Sequence, residues 1–126
     1  MMRLLLDTHI FLWVLTDSAR LKAPARKLLE SATRVYVSSA SIWEIAIKAR
    51  LGKIDADPAM VLNAIEESGF EELPVLGRHA AGVAGLPLHH HDPFDRLLLA
   101  QAISEPMRLV TQDAQLKPYS ELVIHV

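Results

Sequence analysis

The chain contains no cysteine. Disulfides and thiolate metal centres are therefore excluded, and the compartment cannot be read from redox chemistry. Long apolar runs are missing too. The longest are LLL at 4–6, IFLWVL at 10–15 and LLLA at 97–100, well short of the ~18 residues that a membrane span needs. Met1-Met2-Arg3 passes straight into LLLDTH, without the three-part pattern and small-residue cleavage site of a secretory leader. A cytoplasmic location is the expectation. Neither sign of charge dominates, with 13 basic and 15 acidic residues giving a net charge of −2. That balance is not the basic one expected of a nucleic-acid binder.

What is present is enough for one domain of 126 residues, 51% of them hydrophobic, a share that suits a sheet buried on both faces. Strand and helix patterns alternate along the chain. MRLLL at 2–6 reads as a short buried strand, followed by a helix through Ile10, Phe11, Val14 and Leu15, and by a second over 23–32. VYVSS at 35–39 is β-branched and ends in serines that can cap a helix over 41–51, which Gly52 stops. Asp57-Pro58 opens a helix with a cap and a proline in its first turn, closed by Gly69. ELPVL at 72–76 is a third strand, and RHAAGVAGL a weak helix before Pro87. Asp92-Pro93 starts a strong helix through RLLLAQAI, and RLVTQ at 108–112 and ELVIHV at 121–126 are the last two strands. Strands separated by helices pair in parallel through right-handed crossovers. The expected fold is a three-layer α/β/α domain with a parallel sheet of about five strands.

Four carboxylates stand at the ends of the apolar runs. Asp7 and Asp113 sit where strands should finish, and Glu44 and Asp95 near where helices should begin. In an open α/β sheet these places are neighbours, because ligands bind outside the carboxyl ends of the strands. Each acid has an ordinary explanation. Ser41 and Glu44 have the spacing of a capping box, and Lys48 lies one turn beyond Glu44, at ion-pair distance on an exposed helix face. Asp92 and Asp95 fit a cap and a first-turn acid, and Asp7 and Asp113 could each cap a short helix. Together they say more. Glu44 lies among Ile42, Trp43, Ile45, Ala46 and Ile47, where an unpartnered charge is expensive to bury. Converging carboxylates repel and are held together by a cation; hard oxygen donors suit Mg²⁺ or Mn²⁺ and not zinc. With four of the 15 acids committed to a metal, 11 remain against 13 Lys and Arg. The bases cluster at Arg20, Lys22, Arg26 and Lys27 and at Lys48, Arg50 and Lys53, although each is more ordinarily a solvated helix face.

The segments LLLDTHIFLW, VSSASIWEIAIKARLGKI, LPLHHHDPFDRLLLAQA and LVTQDAQLKPY, in this order, resemble the PIN-domain ribonucleases, specifically toxins of the VapC type. The resemblance covers nearly the whole chain. It implies an acidic metal site of Asp7, Glu44, Asp95 and Asp113, serving both as catalytic residues and as ligands of Mg²⁺ or Mn²⁺. It gives Thr8, Asp92 and Thr111 supporting roles. It implies a metal-dependent endoribonuclease that hydrolyses single-stranded or loop RNA, a cognate antitoxin protein as partner, and a homodimer. Arg96, directly after Asp95, is assigned a contact to RNA phosphate, with a helix-surface arginine as its plainer reading.

Other acidic-pocket folds fit these residues less well. A receiver domain needs an acidic pair near the first strand and a lysine after a late one, and neither stands beside Asp7 or after Leu122. An aspartyl-phosphate phosphohydrolase needs a second Asp where His9 stands. A catalytically silent PIN-like module that binds RNA or protein would predict an eroded acidic set, and all four positions are acidic. Zinc at His89, His90 and His91 is set aside, because consecutive residues rarely aim three side chains at one tetrahedral ion; a loop at the mouth of the site is the alternative. Trp13 and Trp43 are assigned to packing or a dimer interface, and His9 to local packing.

Overall fold

A computed structural model describes residues 2–88 and 91–126. Its centre is a parallel sheet of five strands in the order β3-β2-β1-β4-β5, with β1 at Arg3–Leu6, β2 at Arg34–Ser38, β3 at Glu71–Leu73, β4 at Arg108–Thr111 and β5 at Val123–His125. The helices are α1 (Thr8–Leu15), α2 (Ala23–Ser31), α3 (Ser39–Arg50), α4 (Pro58–Glu67), α5 (Gly77–Gly82) and α6 (Pro93–Ser104). Short 3-10 segments cover Val83–Gly85 and Ala114–Tyr119.

The apolar triplet of β1 explains the layering. Successive strand residues point to opposite faces, so Leu4 and Leu6 enter one core and Leu5 the other. The first core takes Ile10 and Phe11 from α1, Ala25 from α2, Ile45 from α3 and Val61 and Ile65 from α4. The second takes Leu98, Leu99 and Ala102 from α6, with Leu109 and Val123 from the sheet. Helices therefore cover both faces, as the unalternating strand patterns require.

The caps fall close to their expected places. Asp57 accepts from the Ala59 amide with Pro58 in the first turn, and Asp92 accepts from Phe94 and Asp95 ahead of α6. Gly52 and Gly69 adopt φ of +73° and +78° directly after α3 and α4, a region that penalises any Cβ. The boundary between β2 and α3 differs from expectation. Ser38 is the cap and α3 begins at Ser39, which leaves Ser41 and Glu44 inside the helix. β3 stops before Pro74, which has no N–H to give to a ladder. The sequence pattern left 113–120 outside any element, whereas the chain turns there through Ala114–Tyr119.

Strand order reverses at β1, whose neighbours are β2 on one side and β4 on the other. A crevice opens at such a switch point, outside the carboxyl ends of the strands. Leu6 pairs with Val110, and the Asp7 amide carries the ladder one step further to the Val110 carbonyl at 3.0 Å. Asp7 and Thr111 are thereby placed side by side where the two strands diverge.

Candidate active site

Asp7 is the cap of α1. Its Oδ1 accepts from the Ile10 amide at 2.8 Å and its Oδ2 from the Thr111 hydroxyl at 2.5 Å. The carboxylate is buried, and among the described residues no basic side chain forms an ion pair with it. Desolvation pushes its pKa above the ordinary value, against the opposing pull of the Thr111 hydroxyl and the Ile10 amide. Thr111 in turn accepts from the Asp113 amide at 3.0 Å, and Asp113 caps the following 3-10 segment through the Gln115 amide.

Thr8, next in sequence, turns the other way. Its hydroxyl donates to Glu44 Oε1 at 2.6 Å and lies 3.0 Å from the Ser41 hydroxyl. Glu44 is buried in α3, and its second oxygen meets the Lys48 ammonium at 2.6 Å. The Glu44 hydrogen bond raises the Lys48 pKa despite partial desolvation, and the charges of Glu44, Asp92 and Asp95 raise it further.

The ordinary readings of these acids hold for the most part. Asp7, Asp92 and Asp113 do cap helical turns, and Glu44 does pair with Lys48. The capping box between Ser41 and Glu44 does not form, because Ser38 and not Ser41 caps α3 and Glu44 lies beyond its first turn; nor is the Glu44–Lys48 pair an exposed one. Two hydrogen-bonded groups lie side by side, Asp7 with Thr111 and Asp113, and Glu44 with Thr8, Ser41 and Lys48, joined through the chain at Asp7-Thr8. Among the described residues, however, no three acidic or histidine side chains gather around a single point. Each of the two buried carboxylates instead points at its own partners.

Several other expectations need correction. Arg96 is neither a phosphate contact nor a surface residue. It is 9% exposed, and its guanidinium donates to the carbonyls of Pro87 (2.7 Å), Val83 and Leu86 (each 3.3 Å). Trp13 packs against the first core, but Trp43 is 61% exposed and meets Phe94 edge-on at 5.2 Å. His9 is exposed, and its charge acts weakly on Asp7. His91 is exposed, while His89 and His90 lie outside the described residues. Ser41 was missed as part of the site. Its spacing of three from Glu44 puts both on one face of α3 and was the available signal.

The donor set is all oxygen, from carboxylates and hydroxyls, and includes one buried carboxylate with no ion-pair partner among the described residues. That chemistry fits a hard divalent cation such as Mg²⁺ or Mn²⁺.

The PIN domain family matches residues 4–122. Ribonuclease VapC22 of Mycobacterium tuberculosis is 33% identical over 121 residues, covering 94% of this chain and 93% of that protein. The fold is similar to that in the DNA-bound VapBC2 complex from Rickettsia felis (TM-score 0.72, 19% identity, 99% of this chain and 98% of that one). It is also similar to that in DNA-bound VapBC from Salmonella typhimurium (TM-score 0.68, 18% identity, 99% and 98%). A toxin–antitoxin complex from Klebsiella pneumoniae gives a TM-score of 0.67 at 18% identity, over 95% and 94% of the two chains. The chain belongs to the PIN-domain family, with a VapC ribonuclease among its relatives.

Proposed function

We propose that the protein is a metal-dependent endoribonuclease, the toxin of a toxin–antitoxin pair, acting on single-stranded or loop RNA. The observation that carries this is Asp7, a carboxylate buried at the switch point between β1 and β4 with hydroxyl and amide donors but no ion-pair partner among the described residues. Asp7, Glu44, Asp95 and Asp113 would hold the cation, Mg²⁺ or Mn²⁺. When bound, a divalent ion lowers the pKa of a water and offsets charge on the scissile phosphate. The protein's own part is positioning. Thr111 and the Ile10 amide fix the rotamer of Asp7, while Thr8, which also touches the Ser41 hydroxyl, holds Glu44 from α1. Asp92 supports Asp95 by accepting its amide at the start of α6. Because these groups are already ordered, little reorganisation is needed when charge develops on the substrate.

The partners follow from surfaces. An open groove between α1 and α4 is lined by Leu12, Leu15, Met60 and Val61 together with Asp55, Asp57 and Glu67. It has the chemistry to take an amphipathic segment with basic residues from a protein antitoxin. Trp43, Ile47 and Leu51 form an exposed apolar stripe along α3, and we assign it to a homodimer contact. No helix among the described residues is long and apolar enough to cross a membrane.

The test is cleavage of a single-stranded RNA by purified wild type and Asp7→Asn, each with Mn²⁺ and with chelator. Wild type cuts with metal and stops in chelator, and Asp7→Asn loses about 100-fold or more of the rate. Activity that survives Asp7→Asn, or that ignores chelator, would overturn the assignment.

A further inference from the structure

We propose that Lys48 is the resident counter-ion of the acidic site: its ammonium balances Glu44 while the divalent ion is absent, and opposes that ion's binding. This rests on the metal-dependent reading above and adds to it a residue that the acid set does not contain.

The two buried carboxylates of the site are compensated differently. Asp7 has a hydroxyl and an amide, whereas Glu44 has a hydroxyl on one oxygen and the Lys48 ammonium at 2.6 Å on the other. A spacing of four on one helix commonly gives a solvated pair of little consequence. Here the Glu44 side chain is only 5% exposed and that of Lys48 30%, so the pair sits in the wall of the site with much of its hydration removed. Thr8 reaches Glu44 from a different helix and closes off its other oxygen, so Glu44 cannot swing out to pair in solvent. The same position makes Lys48 an obstacle, because a divalent ion brought to Glu44 meets a like charge already seated on that carboxylate. Lys48 acts through Glu44 and the field of the site, and is a positioning residue rather than a catalytic one.

The experiment is a calorimetric titration of metal-free protein with Mn²⁺, together with thermal melts in chelator and in Mn²⁺. The proteins are wild type, Lys48→Met, Lys48→Gln and Lys48→Arg. In chelator, Lys48→Met melts below wild type, because Glu44 loses its counter-charge. It binds Mn²⁺ about tenfold or more tighter, since the opposing charge is gone. Lys48→Gln keeps a donor for Glu44 without the charge, and gives the same tightening should Lys48→Met fold poorly. Lys48→Arg follows wild type. Unchanged melting and affinity in the neutral variants would overturn the proposal, and so would weaker Mn²⁺ binding, which would make the ammonium an aid to the metal. Wild type that shows no Mn²⁺ response removes the metal reading itself, and this proposal with it. A responsive wild type beside indifferent Lys48 variants removes this proposal alone.

Discussion

A carboxylate taken out of water costs its fold free energy unless its charge is compensated, and Asp7, held by the Thr111 hydroxyl and backbone amides, has no ion-pair partner among the described residues. Burial holds its pKa above the usual carboxylate value of 3.8. The sign follows from linkage. Below the ordinary value the group is protonated in both folded and unfolded chains, and its burial carries no charge penalty. As pH rises from there through the raised folded value, the unfolded chain ionises first and stability falls. Metal-free Asp7→Asn, whose amide oxygen can still cap α1, therefore melts a few degrees above wild type at neutral pH. The gap closes as the pH is lowered towards the usual carboxylate range. Melting both proteins in chelator across the acid-to-neutral range checks this; a gap that does not change with pH would show that Asp7 is not burdened by its charge. In sequence, Asp7 and Glu44 were legible because each ends or interrupts an apolar run. Ser41 was legible only as a cap, since nothing local tells whether a helix starts at Ser39 or two residues later.

Among the elements, α6 depends on a contact that its own pattern does not announce. Its start is written in Asp92 and Pro93, and its buried face in Leu98, Leu99 and Ala102. Arg96 falls in the first turn and looks like a solvent-facing base. In the fold, the chain from Val83 to Pro87 crosses over that turn and offers three carbonyls to the guanidinium. A fork of several N–H donors suits such a cluster, whereas a lysine would serve it poorly. Arg96 therefore ties the end of the 3-10 segment Val83–Gly85 to the helix that carries Asp95. Arg96→Met should cost roughly 1–3 kcal/mol, since charge-assisted hydrogen bonds to three carbonyls are lost. Urea unfolding measures the loss, and limited proteolysis should cut the 83–88 segment faster in the variant. Wild-type stability and wild-type protease resistance in Arg96→Met would mean that backbone contacts alone hold the turn. The weak Ala/Gly helix before Pro87 gave no hint of this, because carbonyls in a turn leave no mark on side-chain periodicity.

For the whole molecule, alternation of strand and helix was enough to expect a parallel sheet of about five strands with helices on both faces. Strand order was not legible, because no local pattern says which neighbour β1 takes on each side; that the reversal falls beside Asp7 emerges only from the pairing of β1 with both β2 and β4. Surface assignment was the other weak point. Trp43 looks like a core residue, yet it is exposed, as are Ile47 and Leu51 one and two turns on. A stripe of large apolar side chains at intervals of four is the mark of a helix that packs against something. Phe94 widens it at the Trp43 end, but a stable interface of about 800 Å² per partner needs more than one helix face. Two copies meeting through α3, with the start of α6 alongside, would supply it and set their acidic sites along one groove. Sedimentation velocity at micromolar concentration should show a dimer for wild type and a monomer for Leu51→Glu. The melting temperature of the monomer should fall only by what dissociation accounts for, because Leu51 is 63% exposed and belongs to neither core. A monomeric wild type would remove the dimer. A Leu51→Glu variant that remains fully dimeric would move the contact away from α3.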